Sequence, residues 1–167
     1  MDEKLPRPNA WQRLGHKFAS TKLAARVFSV TFHHLDRPVI QLSKGRTSVT
    51  SLVTGLPVVT LTTTGAKSGQ PRSVPLIGIP DGEKIILIAS NYGQKHHPAW
   101  YFNLRANPKA TILRSGKTRA YVAREVEGSE YDACWDRAVG LYIGYASYQK
   151  RTGGRKIPIL MLEPAAE

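Results

Sequence analysis

The chain has 167 residues, 41% of them hydrophobic, enough to bury the core of one domain and too many for a disordered tail. Its single cysteine, Cys134, excludes an intramolecular disulfide and a multi-cysteine zinc site. The net charge of +12, from 24 Lys+Arg against 12 Asp+Glu, fits either a basic soluble surface or an anionic partner: nucleic acid, anionic lipid or a multiply charged small molecule.

The sequence begins MDEKLPRPN, without the basic-then-apolar pattern of a secretory signal. No run of about 18 apolar residues occurs, so no bilayer-spanning helix is expected, and the expected setting is the reducing cytoplasm. Residues 10–35 predict a helix. Trp11, Leu14, Phe18, Thr21, Ala25, Phe28, Phe32 and Leu35 recur at spacings of three and four, on one stripe. Lys17, Lys22 and Arg26 fall on other faces, which makes the segment a basic amphipathic helix able to pack on its own domain or to lie on a membrane surface. A second apolar strip, Leu23, Val27 and Val30, favours packing. Pro38 discourages helix beyond Arg37. Residues 1–50 hold nine Lys+Arg against three Asp+Glu, half of the net charge. The expected organisation is a helical segment over 1–47 and a second unit over 48–167.

From Leu56 the pattern changes to short apolar runs and alternation. Strands are predicted at 57–64, 73–80, 84–90, 109–114, 118–126 and 156–162, separated by the turn signals GAKSGQPR, Asp81-Gly82 and Ser115-Gly116. A helix is predicted to start at Pro98 and stop at Asn107, before Pro108. A longer one is predicted from Ser129, as N-cap with Asp132 three residues on, running toward Gln149 and ended by Gly153-Gly154. Short connections between strands favour antiparallel pairing. The expected fold is α+β: a small antiparallel barrel of about six strands, with the N-terminal helix and two or three flanking helices.

Three segments carry candidate chemistry. TTTGAKSGQPRSVP, residues 62–75, is not a Walker loop, because its glycines, Lys67 and Ser68 are in the wrong order and Pro71 leads into a strand. Gly65 and Gly69 instead allow a tight hairpin, with Lys67 at the tip and Arg72 on the returning strand. Two cations on one loop can grip a phosphate or carboxylate; an ordinary basic hairpin would look the same. In ASNYGQKHHPAWYFNLRANP, residues 89–108, Ser90 and Asn91 follow a strand and offer hydrogen-bonding groups, while Trp100 and Tyr101 offer flat apolar area. The His96-His97 pair has no evident third ligand, so no metal site is expected. Finally, Tyr142, Tyr145 and Tyr148 recur every three residues, which places them on one helical face, beside Gly140 and Gly144. That pattern suits a core-to-surface seam or an aromatic pocket that donates hydrogen bonds.

Taken in order, TTTGAKSGQPRSVPL, IASNYG, HPAWYFNLRANP, Tyr-x-x-Tyr-x-x-Tyr and IPILMLEP resemble the deazaflavin-dependent nitroreductase family, oxidoreductases that use coenzyme F420. The resemblance covers roughly residues 56–164. It implies a split β-barrel of the flavin-binding type, and it implies that the anion on the hairpin is the coenzyme's phosphate and glutamate-bearing tail. By that resemblance Lys67 and Arg72 hold the tail, and Ser68 and Gly69 form the turn beside it. Ser90 and Asn91 line the deazaflavin, and Pro98 and Trp100 pack near it. Tyr142, Tyr145 and Tyr148 wall the substrate side, with Ser90 close by. Two positions depart from the family pattern: Ala66 stands where a basic residue is frequent, and Tyr92 where a glycine is.

The activity so implied is hydride transfer from C5 of the reduced deazaflavin to an electron-poor acceptor: a quinone, a nitroaromatic or an activated alkene. Ser90 or a tyrosine would then hydrogen-bond the acceptor oxygen as charge develops there. With a lipid-soluble quinone, the basic N-terminal helix would have a reason to sit at an anionic membrane surface. The alternatives are a split barrel binding FMN or haem, and a nucleic-acid-binding barrel. The last needs exposed aromatics alternating with basic residues, and the strands are too apolar for that, so nucleic acid is not expected as a partner.

Overall fold

The computed structural model describes residues 55–166. The helix expected over 10–35 and the boundary expected at residue 47 lie outside the described residues. Six strands follow one another: β1 (Val58–Thr64), β2 (Pro71–Asp81), β3 (Lys84–Ile88), β4 (Lys109–Arg114), β5 (Lys117–Glu125) and β6 (Ile159–Pro164). Three helices join them: α1 (Ala99–Ala106), α2 (Gly128–Leu141) and α3 (Gly144–Arg151). All pairings are antiparallel, and the order β1-β2-β3-β6-β5-β4 closes into a barrel. The expected six-stranded antiparallel barrel is therefore the observed one.

Strand alternation builds two apolar layers. Val59 and Leu61 of β1, Ile85 and Leu87 of β3, Ile112 of β4, and Leu160 and Leu162 of β6 fill the interior, where Tyr101 and Leu104 of α1 join them. The opposite faces of β2, β3 and β6 present Ile79, Ile86, Ile88, Ile159 and Met161 outward. These pack beneath Cys134, Ala138 and Leu141 of α2 and the tyrosines around α3. Each fully buried Leu or Ile contributes roughly 1.5–3 kcal/mol over exposure, so both layers are needed.

The tight turns follow from their residues. Ser115 and Gly116 both have positive φ, 50° and 78°, the requirement of a type I′ hairpin. They join β4 to β5 across the Arg114–Lys117 pair, and Gly82-Glu83 does the same for β2 and β3 across Asp81–Lys84.

Antiparallel closure also fixes where function can sit. β1, β3 and β5 run one way and β2, β4 and β6 the other. The connections β1–β2, β3–β4 and β5–β6 therefore all leave from one end of the barrel, and the two tight turns occupy the other. Every candidate residue belongs to those three connections or to the strand ends beside them.

Two expectations need correcting. The long helix from Ser129 to Gln149 is two helices, α2 and α3, broken at Tyr142, whose φ of −142° is extended. Ser129 is not the N-cap: Glu127 occupies that position without a side-chain cap, and Gly128 enters the helix at φ +57°.

Candidate functional site

The β1–β2 connection is a compact loop. Gly65 N–H donates to Gln70 O at 2.9 Å and Gly69 N–H to Gly65 O at 2.8 Å, with Gly69 at φ +65°. Ser68 Oγ accepts from Gln70 N at 3.3 Å and from Arg72 Nη2 at 3.4 Å. Lys67, Ser68, Gly69 and Arg72 are exposed, and among the described residues neither Lys67 nor Arg72 has an ion-pair partner. A buried side chain holds this loop from outside it. Asn103 of α1 accepts from Ala66 N–H at 3.0 Å and donates to Thr63 Oγ1 at 3.0 Å. The helix that carries Trp100 thus also holds the cationic hairpin.

Ser90, 8% exposed, is the second residue of the β3–β4 connection. A short 3-10 turn, Asn91–Gly93, follows. Asn91 and Tyr92 have φ of 48° and 56°, left-handed values that cost a non-glycine residue on the order of 1 kcal/mol or more. Gly93, at φ +78°, lies against α3: a Cβ there would stand 2.9 Å from Tyr148 O and 3.0 Å from Tyr148 Cα. The Asn91 amide is engaged within the loop, donating to His96 Nδ1 at 3.0 Å and His96 O at 3.1 Å. Pro98 is the N-cap of α1. Trp100 is half-buried against the barrel interior.

Tyr142, Tyr145 and Tyr148 form one cluster despite the helix break, with ring centroids 5.4, 6.0 and 6.1 Å apart, all edge to face. Gly144 makes the break possible, because a Cβ there would overlap the Tyr142 ring. The Tyr142 and Tyr148 hydroxyls share a hydrogen bond of 3.1 Å; the Tyr145 hydroxyl has no partner among the described residues. Burial raises the pKa of all three above the ordinary tyrosine value, and for Tyr148 the neighbouring Tyr142 adds to it. These phenols stay protonated as donors. Tyr92 approaches Tyr148 edge-on at 6.2 Å and so joins the Ser90 loop to the cluster.

The candidate residues therefore fall into two groups at one barrel end. Lys67, Ser68, Gly69 and Arg72 are tied to α1 with Pro98 and Trp100; Ser90 and Asn91 adjoin the tyrosines through Tyr92 and Gly93. Sequence reasoning missed two side chains that organise them. Asn103 is one. The other is Arg155, whose guanidinium donates to Ala89 O, Ser90 O, Gln94 O and His97 Nδ1. Its position just after Gly153-Gly154 was a signal of a structured turn, though not of its partners.

A family model described as F420H(2)-dependent quinone reductase matches residues 37–164. The F420H(2)-dependent quinone reductase Rv1261c of Mycobacterium tuberculosis (strain ATCC 25618 / H37Rv) is 36% identical over 109 residues, covering 64% of this chain and 72% of the relative. A solved F420-H2 dependent reductase, FDR-A, is 44% identical with a TM-score of 0.60, covering 64% of this chain and 94% of that one. A further structure, described as a domain-swapped dimer, is 40% identical with a TM-score of 0.61, covering 76% and 94%.

Proposed function

Because the chain belongs to the F420H(2)-dependent quinone reductase family, we propose that it reduces a quinone-type acceptor, with residues 48–167 as the coenzyme-binding unit. The observation that carries the residue assignment is a pair of cations, Lys67 and Arg72, without ion-pair partners among the described residues, on a hairpin anchored by Asn103. An exposed loop carrying two cations fits a tail of phosphate and carboxylates. A neutral ligand would have no use for it.

In this reading Lys67 and Arg72 bind the anionic tail, and the Ser68-Gly69 turn gives it room. Ser90, Asn91, Pro98 and Trp100 line the ring system. When bound, the reduced deazaflavin supplies a hydride from C5. The side chains orient the acceptor and stabilise the charge it gains. Ser90 and Tyr145, whose hydroxyls make no hydrogen bond among the described residues, are free to donate to the acceptor oxygen. Tyr142 and Tyr148 wall the same side, their hydroxyls joined by the shared hydrogen bond. Burial raises all three tyrosine pKa values, so the phenols are protonated hydrogen-bond donors at neutral pH.

The finer assignment of a membrane surface rests on charge. Residues 1–50 carry half of the net +12, which suits an anionic bilayer holding a lipid-soluble quinone. No helix among the described residues is long and apolar enough to cross a membrane.

Fluorescence titration with oxidised F420, with FMN in parallel, tests the reading. The expected result is saturable F420 binding that weakens with salt, and much weaker FMN binding. Equal affinity for both would refute capture through the longer anionic tail.

A further inference from the structure

Arg155 belongs to no motif of the family resemblance, yet it makes the densest set of polar contacts in the described chain. Its Nη2 lies 3.0 Å from Ser90 O and 2.9 Å from Gln94 O. Its Nε reaches Gln94 O at 3.3 Å, and its Nη1 reaches Ala89 O at 3.4 Å and His97 Nδ1 at 3.0 Å. All four partners are on the β3–β4 connection, and they bracket the left-handed Asn91 and Tyr92. A loop with two strained residues keeps one conformation only if its surroundings over-determine it. One planar guanidinium gathering three carbonyls and an imidazole does this, and a lysine ammonium lacks the fork to do it.

The fourth partner makes the arrangement conditional. Arginine can only donate, so His97 Nδ1 must accept and be unprotonated. A protonated imidazole would lose that bond and set a second positive charge beside Arg155. The surroundings of His97 favour the neutral ring on balance: burial, then Arg155, lower its pKa, Glu125 opposes them, and Arg105 adds a smaller lowering. Tyr101 lies tilted against the ring at 4.8 Å and Phe102 meets it edge-on at 5.8 Å. On its own loop His96 is turned to Asn91. Tyr101, through its bond to Glu125 at 3.0 Å, carries the arrangement into the barrel.

We infer that Arg155 is the positioning residue of the coenzyme loop: its guanidinium gathers Ala89, Ser90, Gln94 and neutral His97, and so sets where Ser90 and Asn91 meet the deazaflavin. The inference rests on the coenzyme assignment only for that last step. The loop is complete above the pKa of His97. It loosens as pH falls through that value, which lies below the ordinary histidine figure of about 6.5.

The test uses full-length protein and the variants Arg155→Met, Arg155→Lys and His97→Gln. Amide exchange without coenzyme is read over 90–97, with β3 amides as internal control. F420 affinity is read between neutral and acid pH. Losing two or more charge-assisted bonds should speed exchange over 90–97 by about tenfold or more in both Arg155 variants and weaken F420 by a similar factor. Exchange in β3 should stay as in the unaltered chain. His97→Gln keeps an acceptor that cannot be protonated, so the acid loss of affinity should flatten in it, whatever its absolute affinity. Unchanged exchange over 90–97 in Arg155→Lys would overturn the inference, because charge alone would then suffice. If Arg155→Met does not fold, the lysine variant decides. An acid limb equally steep in His97→Gln and the unaltered chain would remove the histidine from the device. Absence of F420 binding to the unaltered chain would instead overturn the coenzyme assignment, with the exchange measurement still deciding the role of Arg155.

Discussion

Lys67 and Arg72 stand in water, so each contributes to anion binding as a screened charge. About 1 kcal/mol apiece is the expectation for such contacts. Lys67→Ala and Arg72→Ala should each weaken F420 by about fivefold to tenfold and reduce the steepness with which salt weakens binding. Circular dichroism should be unchanged, since neither side chain is buried. The tyrosines behave oppositely because they are buried. Tyr145→Phe removes a hydroxyl with no partner among the described residues, so stability should change little. kcat for quinone reduction should fall by about tenfold, as for loss of one donor to a developing oxyanion. The sign of the pH effect follows from the direction of the shifts. Burial raises the pKa of Tyr142, Tyr145 and Tyr148, so the protonated donor outlasts the ordinary tyrosine value of about 10. The rate should therefore show no loss from phenol ionisation up to that pH. A kcat limb falling near pH 9, absent in Tyr145→Phe, would contradict this.

At the scale of elements, the hairpin depends on a residue outside it. Asn103 is 9% exposed and bonds both Ala66 and Thr63. Asn103→Ala leaves those groups without their partner, at a cost of about 1–3 kcal/mol in stability. It should also weaken F420 beyond what the stability loss explains, because Lys67 then rides on a loop no longer tied to α1. A thermal melt and a titration on the same sample separate the two effects. The strands were legible in the sequence to within a few residues, because β-branched alternation and the dipeptides Asp81-Gly82 and Ser115-Gly116 act locally. The α2–α3 break was not. Its cause is the Tyr142 ring lying over Gly144, a contact seen only once the tyrosines pack on the outside of the barrel. Lys67 and Arg72 could be read from an eight-residue turn, whereas Asn103 and Arg155 act across 37 and 65 positions. No local pattern encodes such partners, so the ligand-facing residues were legible and the side chains that hold them were not.

For the whole molecule, one consequence of topology and one of charge meet. Closure of an antiparallel barrel sends all three long connections to one end, and the ligand-facing residues with them. Among the described residues, the opposite end carries only two-residue turns. At Glu83, in one of those turns, Arg119 forms an exposed ion pair of 2.9 Å, which contributes little to stability. Residues 1–50 carry an excess of six positive charges, half of the net +12. If it serves a lipid-soluble acceptor, the protein should pellet with vesicles containing anionic lipid and not with neutral ones, and salt should release it. Each basic residue near such a surface contributes about 1 kcal/mol. Replacing Lys17, Lys22 and Arg26 with Gln in the full chain should therefore lower the partition coefficient by about a hundredfold or more. F420 affinity should be untouched, because the cations assigned to the tail are on the barrel. The decisive comparison is between acceptors. The triple variant should reduce a water-soluble quinone at the normal rate and a vesicle-borne quinone more slowly. Equal slowing on both acceptors would place those residues in the coenzyme or acceptor site, and equal rates on both would remove the membrane from the function.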